Sequence, residues 1–148
     1  MANSIKEQQD ILTKLNIHLL NPMQKEAISI IESTTNTILL SPTGTGKTLA
    51  FLLPLIKTLD PNCKELQALI IVPSRELAIQ IEQVVRAMGS GFKVNAVYGG
   101  RPMSKDKIEI KHVPSILIGT PGRIADHFSN DRFSKKYIKV LILDEFDK

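Results

Sequence analysis

Cys63 is the only cysteine in the chain, so no internal disulfide can form. There is no internal repeat and no low-complexity tract. The longest apolar stretch, Leu49 to Ile56, is interrupted by Pro54 and is far too short to cross a bilayer. The first fourteen residues are polar and carry acids, which excludes a signal peptide of the usual form. These absences point to a reduced, cytoplasmic protein with no membrane partner. What is there is ordinary globular composition: 148 residues, 43% hydrophobic and 23% charged.

The net charge of +4 is unevenly spread. Residues 101–139 hold nine Lys/Arg against four Asp/Glu, whereas residues 1–100 are nearly balanced. The last nine residues carry three acids and one lysine. A basic segment beside an acidic one suits a polyanion surface next to a metal site.

Apolar periodicity places the elements. A helix runs from the capping-box pattern Ser4–Glu7 to about Leu15. Asn21 then caps a second helix with Pro22 at its first position. Beyond it, near-continuous apolar runs alternate with helical stripes. Strands are expected at Thr37–Leu40, Ala68–Val72, Lys93–Tyr98, Ile116–Ile118 and Lys139–Leu143. Helices follow Lys47, Ser74 and Pro121, and a polar helical stretch follows Gly100. Continuous rather than alternating strands mark a parallel sheet buried on both faces. The order strand, helix, strand argues an open α/β fold, with ligands at the carboxyl ends of the strands.

The strongest local signal is Ser41-Pro42-Thr43-Gly44-Thr45-Gly46-Lys47-Thr48, between an expected strand and an expected helix. That context is what a phosphate-binding loop requires. Glycines let backbone N–H groups turn inward around phosphate oxygens, and the helix N-terminus favours the same anion. Thr43 to Gly46 would form the cradle, Lys47 would reach the β- and γ-phosphates, and the Thr48 hydroxyl would coordinate Mg²⁺. Serine stands at position 41, where the strict pattern has glycine.

The second signal is Asp144-Glu145-Phe146-Asp147, directly after Val140-Leu141-Ile142-Leu143. A carboxylate there can hold Mg²⁺ through water, which suits Asp144. A neighbouring carboxylate can orient and deprotonate an attacking water, which suits Glu145.

These two boxes, together with Pro73-Ser74-Arg75-Glu76-Leu77-Ala78, Gly99-Gly100 and Thr120-Pro121-Gly122-Arg123, resemble the ordered motifs of DEAD-box RNA helicases. The resemblance covers residues 16 to 147. It implies a RecA-like P-loop NTPase fold, with a parallel sheet and helices on both faces. It implies ATP and Mg²⁺ as cofactors, with Lys47, Asp144 and Glu145 catalytic and RNA as partner. It places Ser74, Arg75, Gly99, Gly100, Thr120 and Arg123 at RNA phosphates and sugars, contacts that position a strand without reading its bases. It also puts Gln24 at the adenine-reading position. From the residues alone, Gln24 can equally close a capping box with Asn21, three residues earlier.

The sequence departs from the family around Asn16–Gln24, and no aromatic precedes Phe51 to stack on adenine. Phe146 stands where the family usually has alanine. The family continues past the acidic box into a Ser-Ala-Thr motif and a second RecA-like domain that supplies arginines to the γ-phosphate. Residues 1–148 are therefore expected to be the N-terminal part of the first RecA-like domain, without the second, and to self-associate through unfilled strand edges. An RNA-dependent ATPase and helicase fits this pattern, as does a nucleotide-gated RNA clamp that unwinds little. His18, His112 and His127 match no motif and are expected at the surface.

Overall fold

The computed structural model describes the backbone of residues 2–147 and the side chains of residues 8–147. The chain divides into two compact units, Met1–Thr58 with Ala87–Ser90, and Leu59–Arg86 with Gly91–Lys148.

The first unit contains α1 (Ala2–Lys14), α2 (Pro22–Ser33) and α3 (Lys47–Thr58). Helix α1 begins two residues before Ser4, and the capping box read over Ser4–Glu7 lies outside the described side chains. Helix α2 starts as its sequence dictates. The Asn21 side chain accepts from the Gln24 amide at 2.8 Å, and the Gln24 side chain accepts from the Asn21 amide at 2.9 Å. Two of the helix's otherwise orphaned donors are satisfied in this way. Helix α2 packs on α3, and Ala27, Ile28, Leu49, Leu52, Leu53 and Leu55 are buried.

The strand expected at Thr37–Leu40 does not form. The segment has no regular structure, and Ile38 and Leu40 are 75% and 83% exposed. A strand exists only by pairing, and among the described residues this unit holds no other strand to pair with.

The second unit holds β1 (Ala68–Ile71), most of α4 (Arg75–Met88), β2 (Val94–Val97), α5 (Met103–Glu109), β3 (Ile116–Gly119), α6 (Pro121–Ser129) and β4 (Val140–Leu143). All four strands are parallel, in the order β2-β3-β1-β4. The register aligns Ala68, Ile116 and Val94, and likewise Ile71, Gly119 and Val97. On one face Leu69, Leu117 and Val97 form a core with Leu66, Ile124 and Phe133. The opposite set, Ala68, Ile70, Ile116, Ile118, Val94 and Ala96, is equally buried. Burial on both faces is why these strands read as unbroken apolar runs. Strand β4 differs, with Leu141 and Leu143 59% and 52% exposed. The 60–67 loop that leads into β1 is closed by the buried Gln67 side chain. Its Oε1 accepts from the Asp60 amide at 2.8 Å and its Nε2 donates to the Asp60 carbonyl at 2.9 Å.

Candidate functional site

The loop 41–48 turns sharply at two glycines with positive φ, Gly44 (84°) and Gly46 (90°), and Lys47 begins α3. The left-handed backbone favours glycine at Gly46, and a Cβ there, 2.4 Å from Gln24 Nε2, would displace the Gln24 amide. The Thr45 hydroxyl donates to the Pro42 carbonyl at 2.7 Å. Its single hydrogen is thereby used, so Ser41 Oγ is the donor in the 2.5 Å bond between the two hydroxyls. The serine that departs from the glycine pattern thus closes the loop on itself. Asn21 Nδ2 donates to the Thr45 carbonyl at 3.0 Å, and Gln24 Nε2 to the Gly46 carbonyl at 3.2 Å. Gln24 is 7% exposed and does close the capping box. One amide N–H and one oxygen lone pair of Gln24 are therefore engaged within the protein. Lys47 and Thr48, half-buried, occupy the first turn of α3, and Thr43 and Gly44 are exposed at the tip of the loop.

In the second unit, the sheet order brings four segments side by side at the carboxyl ends of the strands: 98–101, 120–123, 73–75 and 144–147. This is where ligands bind in open α/β sheets. Ser74 caps α4, accepting from the Leu77 amide at 3.2 Å, a bond that leaves its own hydroxyl hydrogen to donate. Arg75 is exposed, with its guanidinium 5.9 Å from the Tyr98 ring centroid. Its Nη1 also lies 3.7 Å from where a Cβ on Gly100 would stand. Gly99 and Gly100 are exposed at the tip of the turn after β2. The Thr120 amide donates to the Val97 carbonyl at 3.2 Å. Thr120 sits at the N-cap of α6, and its hydroxyl is not spent on capping. Five of the six residues assigned to RNA thus present exposed or half-buried groups along one edge.

Arg123 is placed differently. Its side chain is 12% exposed and turns inward. Nε donates to the Tyr98 carbonyl at 3.1 Å, Nη2 to the Arg101 carbonyl, and Nη1 approaches Met103 Sδ at 3.6 Å. It therefore holds both ends of the Gly99-Gly100 turn.

The acidic box follows β4 as a turn. The Asp144 amide donates to the Ile71 carbonyl at 3.0 Å, and Glu145 adopts a left-handed backbone at φ 51°. That conformation costs a non-glycine residue free energy and is concentrated at functional positions. Asp144, Glu145 and Phe146 line a cleft of about 440 Å³ with Ile71, Val72, Pro73, Pro121 and Leu143. Phe146, in place of the family's alanine, packs into no core and is 61% exposed.

Four residues with no motif of their own, Arg101, Asp106, Glu109 and His127, stand beneath the turn. Asp106 is fully buried, accepting from Arg101 Nη1 at 3.0 Å and from His127 Nε2 at 2.9 Å. Arg101 Nη2 meets Glu109 Oε1 at 2.5 Å, and its Nη1 also donates to the Ala96 carbonyl at 3.0 Å. Burial works against the Arg101 charge, but the hydrogen bond and field of Glu109, aided by Asp106, outweigh it and raise the guanidinium's pKa. Lys93 donates to the Glu109 and His112 carbonyls at the end of α5. Burial lowers its pKa; Glu109 opposes that shift and Arg86 adds to it. His18 and His112 are exposed as expected, but His127 is fully buried, which corrects its assignment to the surface. The expectation failed because a histidine's buried partner, 21 residues away, leaves no mark on its own local sequence.

Among the described residues, no three His, Cys, Asp or Glu side chains stand together as a metal cage, and no helix is long and apolar enough to cross a membrane. The model of the DEAD/DEAH box helicase family matches residues 21–148. The chain is 42% identical over 130 residues to the DEAD-box ATP-dependent RNA helicase RhpA of Helicobacter pylori, covering 86% of this chain and 26% of that protein. It is 38% identical over 147 residues to the ATP-dependent rRNA helicase rrp3 of Schizosaccharomyces pombe, covering 97% and 32%. A crystal structure of a hypothetical ATP-dependent RNA helicase from Sulfolobus tokodaii superposes with a TM-score of 0.84 at 25% identity, covering 96% of this chain and 41% of that one. The chain thus spans about a quarter to two fifths of the length of these relatives. The ordered motifs, the parallel sheet and these likenesses agree: the chain belongs to the DEAD/DEAH box helicase family.

Proposed function

We propose that the chain is the ATP-binding, RNA-contacting part of an ATP-dependent RNA helicase, with unwinding a property of the longer protein to which its relatives correspond. In this reading residues 1–148 are the front part of a first RecA-like domain, and a second such domain completes the enzyme in the cytoplasm. The observation that carries it is the alignment of Ser74, Arg75, Gly99, Gly100 and Thr120 along one edge of the second unit, in a chain whose first unit presents a P-loop.

The loop 43–48 holds the triphosphate, with Lys47 on the β- and γ-phosphates. Two left-handed glycines and the free end of α3 suit an anion there. Thr48 and Asp144 are the Mg²⁺ ligands. Mg²⁺ is ordinarily held by nucleotide phosphates, water and one or two protein oxygens, so a hydroxyl and a carboxylate suffice as its protein ligands. Glu145 orients and deprotonates the attacking water. These roles for Asp144 and Glu145 rest on the motif order.

Gln24 reads adenine with the N–H and lone pair that its bonds to Gly46 and Asn21 leave over. Arg75 is the principal phosphate contact: exposed, cationic and steadied by Tyr98. Arg123 supports the neighbouring turn instead of reaching outward. No observation favours the RNA clamp, and the relatives carry helicase names.

The test is fluorescence anisotropy of labelled single-stranded RNAs of differing sequence at several salt concentrations. Similar affinities for all sequences, with log affinity falling linearly with log salt, are expected. Binding that ignored salt but followed base sequence would overturn the assignment.

A further inference from the structure

Asp106 and His127 are both fully buried, and neither belongs to a motif that touches ATP or RNA. A buried carboxylate is costly unless every oxygen is satisfied. Asp106 meets that demand with Arg101 on Oδ1, His127 on Oδ2 and Arg123 Nε at 3.7 Å. Replacing a buried ionic network by apolar packing is often neutral or stabilising, so stability alone does not account for it.

The geometry it secures is that of the Gly99-Gly100 turn. The Arg101 amide closes the turn on the Tyr98 carbonyl at 3.4 Å, and two adjacent glycines give it no stiffness of its own. Its rigidity comes from outside. Arg123 holds the Tyr98 and Arg101 carbonyls, and Arg101 is moored to Asp106. His127 lies four residues after Arg123, so both side chains leave α6 on the same face and converge on Asp106. Arg132 Nη1 reaches His127 Nδ1 at 3.2 Å. A guanidinium can only donate, so Nδ1 accepts, and the ring hydrogen sits on Nε2 and points at Asp106. Arg132 thereby fixes the tautomer that the Asp106 bond needs.

We propose that Asp106 and His127 are positioning residues for RNA: a buried pair that locks the Gly99-Gly100 turn to the N-terminus of α6 and so sets the spacing at which successive backbone phosphates are gripped. The inference rests on the RNA-binding reading above. The pair touches no RNA itself. It acts through Arg101 and Arg123 on the turn, and through α6 on Thr120.

The test compares His127→Phe and His127→Gln in the 148-residue chain. Phenylalanine keeps the ring's bulk and loses both hydrogen bonds. A glutamine amide offers a donor and an acceptor at nearly the imidazole spacing, so it can face Asp106 and Arg132 as the histidine does. Anisotropy with a labelled oligouridylate, calorimetry with ATP·Mg²⁺ and urea unfolding are run on each. His127→Phe is expected to weaken RNA binding about tenfold, the scale of one missing charge-assisted hydrogen bond. Its salt slope is expected to flatten by about 0.7 for each phosphate that is no longer neutralised. ATP affinity is expected to hold, and His127→Gln is expected to restore RNA binding and slope together. A merely structural role would lower unfolding stability without separating the two ligands.

In the unmodified chain, the His127 Nε2–H proton resonance is expected to shift during RNA titration with the same half-saturation as the anisotropy, a readout that needs no folded variant. If the parent binds RNA while His127→Phe binds it equally well, or His127→Gln fails to restore it, or the resonance stays still, the positioning proposal is wrong and the RNA reading survives. If the parent does not bind RNA at any salt, both fall.

Discussion

Gln24 bridges the start of α2 and the phosphate loop: its Nε2 donates to the Gly46 carbonyl at 3.2 Å while its Oε1 accepts from the Asn21 amide at 2.9 Å. One side chain thus serves as helix cap and loop anchor. Gln24→Ala is expected to cost about 1–2 kcal/mol in urea unfolding, the sum of two modest hydrogen bonds at a buried position. With half its amide engaged and no aromatic upstream of Phe51, the chain should prefer ATP over GTP only weakly. A competition titration should show a small preference for ATP in the parent that Gln24→Ala removes. A strong adenine preference in the parent, lost in the variant, would show that the remaining half of the amide suffices without an aromatic; a preference that the variant kept would place base reading elsewhere.

Gly119 ends β3 in a space with no room for a side chain. A Cβ there would lie 2.6 Å from the Val97 carbonyl oxygen and 2.8 Å from Ile124 Cγ1. Gly119→Ala should destabilise by roughly 1–3 kcal/mol, the scale of overpacking against backbone. Gly122→Ala, with nothing within 4 Å, should leave the urea midpoint nearly unchanged. Equal midpoints for the two variants would contradict the close approach.

The candidate segments stand out in the sequence because each is local: glycines and lysine in one loop, carboxylates after one apolar run, arginines inside short motifs. The four strands of the second unit were legible for the same reason, since a run such as Ala68–Ile71 carries its own burial pattern. Thr37–Leu40 has equally strong strand composition yet forms none, because pairing is a property of neighbours and not of the run. Asp106 and His127 were invisible because their bond joins α5 to α6. Arg123 stands in a recognisable motif, but the motif does not say which way its side chain turns; the Tyr98 and Arg101 carbonyls draw it inward.

Arg75 and Arg123 should consequently fail in different ways. On the proposed reading, in which exposed Arg75 meets one RNA phosphate, Arg75→Ala should flatten the salt slope of single-stranded RNA binding by about 0.7 while leaving the fold intact. Arg123→Ala should also weaken RNA, but with faster amide hydrogen exchange at Gly100 and Arg101, whose turn it holds. Unchanged exchange in Arg123→Ala would return that arginine to a direct contact.

Strand β4 ends the described sheet, with Leu141 and Leu143 exposed beside its outer edge. Such an edge is a template for pairing with another chain. Light scattering should show concentration-dependent self-association, and Leu141→Lys, at an exposed position outside the acidic-box cleft, should reduce it without altering nucleotide binding. A chain that stays monomeric at high concentration would remove this expectation.

The most direct test of the account is calorimetric titration of the chain with ATP·Mg²⁺, repeated for Lys47→Ala. The account predicts saturable binding at one site in the parent and its loss in the variant, with the unfolding transition unchanged. A Lys47→Ala chain that bound ATP·Mg²⁺ like its parent would contradict the assignment of the 41–48 loop as the nucleotide site.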